Sequence, residues 1–127
     1  MMAPDWINAL IREFGKSARL ADLSLNDRGA AAVTFETGVS LHFEYARGML
    51  SVFVTLPAPH DIQTSRRILA YAHPSARRGF TVRSGYLVKS GRAVFAVRLG
   101  EREVTLPMIN AAFAELWRIA NEFGGAA

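Results

Sequence analysis

The sequence contains no cysteine. Without thiols there is no disulfide framework, no thiolate nucleophile and no thiolate metal site, a composition suited to a reducing compartment. Long apolar runs are missing too: no stretch approaches the ~20 apolar residues a membrane-crossing helix needs. The first residues, Met-Met-Ala-Pro-Asp-Trp-Ile-Asn, set an acid and an amide where a secretory signal needs a basic region and an apolar run. The expectation is a soluble, unexported protein. Neither Gly-x-Gly-x-x-Gly nor the Gly-Lys-Ser ending of a phosphate loop occurs, and no serine sits in a Gly-x-Ser-x-Gly elbow. His42, His60 and His73 have no metal-ligand spacing and no carboxylate cluster beside them. There is no internal repeat and no low-complexity tract. These absences point away from an enzyme and imply no cofactor.

What is present is enough for one domain spanning residues 1–127 and too little for two ordinary ones. Half the residues are apolar and 20% are charged, an ordinary globular mixture that can bury a core without staples. The net charge is +4, but the basic residues are scattered from Arg12 to Arg118, with Arg66-Arg67 and Arg77-Arg78 the only doublets. Scattered cations argue against a nucleic-acid footprint, which concentrates them on one face.

Taken in order, Ile7, Leu10, Ile11 and Phe14 recur at helical spacing from Asp5, and Pro4 and Asp5 suit a helix start. Gly15 weakens the continuation, which extends at most to Ala18. Trp6 lies off the apolar stripe and is a candidate for a surface contact. A connector follows from Arg19 to Gly29. Three strands come next: Ala31–Glu36, Val39–Tyr45 in clean alternation, and Met49–Leu56. The third carries Leu50, Val52, Val54 and Leu56 on one face, yet Met49 and Phe53 on the other. Such a strand is either central and covered twice, or it presents a docking patch.

Pro57 and Pro59 end this meander, and Asp61 is a fitting N-cap for a helix through Ala72. Its apolar positions Ile62, Ile68, Leu69 and Ala72, with Tyr71 beside them and Arg66-Arg67 outside, make a thin stripe suited to a partly exposed helix or a subunit boundary. His73-Pro74 stops it. Ser75–Gly79 reads as a linker and Phe80–Val88 as a strand, with a bulge or late start at Ser84-Gly85. Lys89–Arg92 turns into the strand Ala93–Leu99. After the turn Gly100–Glu103, Thr105 caps a helix whose stripe is Ile109, Ala112, Phe113, Leu116, Ala120 and Phe123, ending at Gly124-Gly125. The expected class is α+β, in the order α-β-β-β-α-β-β-α, with a largely antiparallel five-stranded sheet because the strand links are short.

Three stretches then carry a resemblance: Asp5-Trp-Ile-Asn-Ala-Leu-Ile11, Ser84-Gly-Tyr-Leu87, and above all Leu99-Gly-Glu-Arg-Glu-Val-Thr-Leu-Pro-Met108 leading to Ala112-Phe-Ala-Glu-Leu116. With the element order, they resemble the SycN branch of the type III secretion chaperones. The resemblance covers nearly the whole chain, its middle third in pattern more than in residues. It implies a cytoplasmic bacterial protein that pairs with a second small chaperone and holds the N-terminal region of a gatekeeper-type secreted protein. It also implies a subunit boundary on the second helix and neighbouring strand: Ile68, Leu69, Tyr71 and Ala72 with Tyr86 and Val88. Client contacts on the first helix and sheet would fall on Trp6, Met49 and Phe53. Many such chaperones are acidic; this chain is basic, which favours a partner or client of opposite charge. The alternatives are a homodimeric effector chaperone, a small basic nucleic-acid-binding module and a small-ligand enzyme.

Overall fold

The computed structural model describes residues 3–20, 22–72 and 81–125. The expected helix stop at His73-Pro74, the linker Ser75–Gly79 and the strand start at Phe80 lie outside them. In chain order the elements are α1 (Asp5–Ser17), β1 (Ala30–Thr34), β2 (Ser40–Ala46), β3 (Met49–Pro57), α2 (Ile62–Ala70), β4 (Arg83–Leu87), β5 (Arg92–Gly100), a 3₁₀ turn (Glu101–Glu103) and α3 (Leu106–Gly125). The five strands form one sheet in the order β1-β2-β3-β5-β4, and every neighbouring pair is antiparallel.

Local chemistry sets the strand ends. The β2–β3 turn places both Arg47 and Gly48 at positive φ, the backbone of a two-residue hairpin whose twist matches the strands. β1 ends at Thr34 rather than at Glu36. Phe35 still donates its N–H to Val39 at 2.8 Å, but Gly38 bonds back to Phe35 at 3.0 Å, so these residues form the hairpin turn. β4 contains no bulge: Ser84 faces Phe95 and Gly85 faces Val94 in unbroken register.

Alternation divides the sheet into two faces. Leu41, Phe43 and Tyr45 of β2, Leu50, Val52 and Val54 of β3, and Phe95, Val97 and Leu99 of β5 are buried on one of them. α1 and α3 cover that face. Ile7, Ile11 and Phe14 come from α1, with the Phe14 ring edge-on to Phe43 at 5.7 Å. From α3, Ile109, Ala112, Leu116, Ala120 and Phe123 are buried as the spacing predicts. Ile119 joins them, whereas Phe113 is only partly buried and meets Phe14 edge-on. Thr105 caps α3, its hydroxyl accepting from the Met108 N–H at 3.2 Å.

α2 is shorter than its apolar letters imply, and its residues divide differently. Asp61 caps it, accepting from the Thr64 N–H at 2.8 Å, and that bond holds its carboxyl below the usual carboxylate range. The helix ends at Ala70, because Tyr71 and Ala72 make tighter bonds back to Ile68 and Leu69. Thr64 and Ile68 point into the core, while Ile62 and Leu69, seven residues apart, point out. Arg67 does not lie outside. Its guanidinium sits 4.4 Å over the Phe123 ring and donates to the Phe123 carbonyl, tying α2 to the end of α3.

Candidate docking surfaces

Exposed large apolar side chains mark where a small folded chain leaves surface for other molecules. Singly they are unremarkable; grouped, they point to partners. Two groupings and one isolated residue stand out.

The first lies at the end formed by α2 and the β4–β5 turn. Leu69 is 63% exposed and Val88 68%, with Ile62 also open to solvent. Of the residues the resemblance assigns to a subunit boundary, Leu69 and Val88 therefore stand free. Ile68 is buried within the chain. Tyr71 is partly buried: its hydroxyl donates to Glu122 at 3.1 Å and its ring meets Phe95 and Phe123 edge-on. Ala72 is partly covered beside it. Tyr86 points toward the helical side, stacks on His60 at 4.7 Å and donates to the Ala58 carbonyl at 2.9 Å. Ile62 shares the exposed side of α2 with Leu69, whereas Leu87, which was not singled out from the sequence, pairs with Arg92 and so lies on the sheet's other face. Ile62 belongs to the thin stripe that the sequence suits to a partly exposed helix or a subunit boundary, and the face of Leu87 follows from strand parity once that of Phe95 is known.

The second grouping is the sheet's other face. Among the described residues no helix covers it, so β3 is central but covered once only. Met49 and Phe53 lie on this face, Met49 more than a third exposed and Phe53 half-buried. The Phe53 ring stacks on His42 with centroids 4.6 Å apart and planes 3° from parallel. His42 Nε2 lies 3.2 Å from the Thr55 hydroxyl. Burial holds the imidazole below its ordinary value; Glu44 opposes that shift and Arg92 adds to it. Arg92 is fixed by neutral acceptors, donating to Thr55 Oγ1 at 3.0 Å, the Gly38 carbonyl at 2.6 Å and the Thr55 carbonyl at 3.0 Å.

Trp6, 46% exposed, stands on the outer side of α1. It is therefore separated from Met49 and Phe53 by the thickness of the molecule, and the three proposed client contacts do not form one patch. Near α1 the structure instead assembles an aromatic row: Phe35 meets Trp117 at 4.9 Å and Trp117 meets Phe113 at 5.6 Å. Phe35 and Trp117 come from separate elements, and their meeting has no local sequence signal.

Among the described residues no three His, Asp or Glu side chains stand together as a metal site, and no helix is long and apolar enough to cross a membrane. What the surfaces offer is apolar contact, hydrogen bonding at a strand edge and fixed positive charge. That chemistry suits binding an extended or poorly folded polypeptide.

The comparisons with known proteins point the same way. No curated protein matches the chain. Solved structures do. The ExsC–ExsE complex aligns with a TM-score of 0.80 at 20% identity, over 97% of this chain and 94% of its counterpart. The HopA1–SchA chaperone–effector complex aligns at 0.72 and 19% identity, over 96% and 98%. The Yersinia pestis type III secretion chaperone SycH, in complex with a fragment of YscM2, aligns at 0.69 and 18% identity, over 92% and 98%. At such identities the likeness establishes the fold. The family profile for the type III secretory system chaperone SycN matches residues 6–124. The chain belongs to the SycN family of type III secretion chaperones.

Proposed function

We propose that residues 1–127 act as a single chaperone domain and as one half of a heterodimer with a second small secretion chaperone. Together the pair binds the N-terminal region of a gatekeeper-type secreted protein in the bacterial cytoplasm and keeps it export-competent, with no catalytic step. The observation that carries this reading is the separation of two uncovered surfaces. Ile62 and Leu69 are exposed on α2 and Val88 follows β4, whereas Phe53 and Leu87 belong to the open sheet face. Two surfaces serve two partners at once. The first, small and aliphatic, suits a folded sister subunit; the second, broad and mixed, suits an extended client.

The test is co-expression with each small chaperone and each secreted protein encoded beside this one, followed by light scattering on the purified species. A ternary complex containing one copy of each small chaperone supports the reading. A stable dimer of this chain alone, capturing an effector without a sister subunit, replaces it with the homodimeric alternative. A monomer that binds neither class of protein overturns it.

A further inference from the structure

We propose that the open sheet face along β5 binds a client segment of defined pattern: an acidic residue, two apolar residues and a second acidic residue, at alternate positions of an extended chain. This rests on the chaperone reading above and deepens it by giving the chemistry of the client.

The pattern follows from the register. On the open face β5 presents Arg92, Val94, Ala96 and Arg98 in succession, since the intervening Ala93, Phe95 and Val97 are buried. Arg92 and Arg98 are six residues apart, so their Cα atoms lie about 20 Å from one another along the strand. An extended peptide repeats its own side chains with the same rise. Carboxylates at its first and seventh positions therefore reach both arginines, while the third and fifth positions face Val94 and Ala96.

The flanking strands deepen this lane. Phe53 lies beside Ala96 on β3, and Gly85 lies beside Val94 on β4. The missing side chain at Gly85 leaves room next to Val94, where an added Cβ would meet Val94 Cγ1 at an ordinary 3.5 Å. Arg83 faces Ala96 from β4, and Arg83 and Arg98 share a shallow groove with Met49, Met108 and Glu103.

Basic residues outnumber acidic ones along this lane, where Glu103 borders the groove and Glu44 stands on the same face of β2. β3, β5 and β4 contain no aspartate or glutamate at all, while β5 and β4 contribute three arginines. Among the described residues neither Arg83 nor Arg98 has a carboxylate partner; the ion pairs there belong to Arg118. Arg92 holds its charge in place through neutral oxygens. A nucleic acid would fit less well, because its phosphates need a continuous cationic track, whereas apolar residues separate these arginines.

The test uses the full chain and a fluorescein-labelled peptide with the core Glu-Ser-Leu-Ser-Leu-Ser-Glu, measured by anisotropy at low and physiological salt. Two companions replace the glutamates by lysine or the leucines by serine. The expected result is binding roughly tenfold tighter for the acidic apolar peptide than for either companion, weakening with salt. Its amide perturbations centre on Val94 and Ala96. The double variant Arg83→Glu/Arg98→Glu, altered only at exposed side chains, should fold normally and prefer the lysine peptide.

No preference among the peptides overturns the proposal, as do perturbations confined to α1 or α2. Equal binding of an oligouridylate that the double variant also loses would make the face a nucleic-acid surface. A changed subunit number in that variant would make it a contact between copies of this chain. A secreted client captured equally by wild type and double variant removes this inference and leaves the chaperone reading standing. A wild-type chain that captures no secreted protein fails the chaperone reading itself.

Discussion

Phe53 and His42 form a stacked pair on the uncovered side of the central strand, and each makes a separate prediction. A large aromatic side chain there is an anchor for an incoming apolar group. Phe53→Glu should leave the circular dichroism spectrum and cooperative unfolding intact, while weakening client capture by roughly tenfold or more. Loss of folding would instead show that the ring is part of the core. For His42 the direction of the pKa shift fixes the sign. The folded imidazole titrates below its ordinary value of 6.5, so between those two points the unfolded chain binds more protons. Stability therefore rises with pH across that window; the contribution is complete above pH 6.5 and lost as pH falls toward the folded value. Thermal melts between pH 7 and 5 should show a steeper acid decline for the wild type than for His42→Asn, and parallel curves would sink the assignment. The sequence exposed the parity of Met49 and Phe53 directly, because residues an even number apart on a strand share a face. It did not expose the stacking, which depends on His42 and Phe53 pairing across β2 and β3, a matter of register set by the Arg47-Gly48 turn.

At the scale of elements, most of the fold was legible because periodicity was strong. α1, β2, β3, β5 and α3 occupy nearly the stretches their patterns predict. α2 was the least legible, for a physical reason. Its interior side is held by Thr64 and Ile68 with the guanidinium of Arg67 over Phe123, two of which are not apolar, so the letters did not separate the buried Ile68 from the exposed Ile62 and Leu69. Gly15 is the other instance. A glycine near the end of α1 reads as a weak point, but the connector returns so closely that a Cβ there would lie 2.9 Å from Leu23 Cβ and 3.2 Å from the Leu20 carbonyl. Helix propensity alone predicts that Gly15→Ala stabilises the protein by up to about 1 kcal/mol. Overpacking against backbone and a branched side chain should reverse that sign, with a loss of about 1–3 kcal/mol. Urea unfolding of the variant decides between them, and a raised midpoint would mean that the connector yields.

At the scale of the whole molecule, the sheet is covered on one face and the helical layer leaves an aliphatic end exposed at α2 and the β4–β5 turn. Helix α2 lets these two demands be separated experimentally, because adjacent residues serve different ones. Ile68 is 2% exposed and packs inside the chain, whereas its neighbour Leu69 is 63% exposed. If the α2 end is the subunit boundary, an aspartate at Leu69 places an unpaired charge at a buried interface, where a loss of several kcal/mol is ordinary. The same residue in a free subunit remains in water and changes folding little. Leu69→Asp should therefore yield a folded chain with an unchanged far-ultraviolet spectrum but half the assembled mass by light scattering. Val88→Asp should do the same. Ile68→Asp buries the charge in the core whether or not a partner is present, and should unfold the chain in either state. A folded Leu69→Asp chain that still assembles with its sister would move the boundary away from α2. The remaining exposed surface, the open sheet face, would then be the place to look for the partner, and the Arg83→Glu/Arg98→Glu variant would change the assembled mass in its stead.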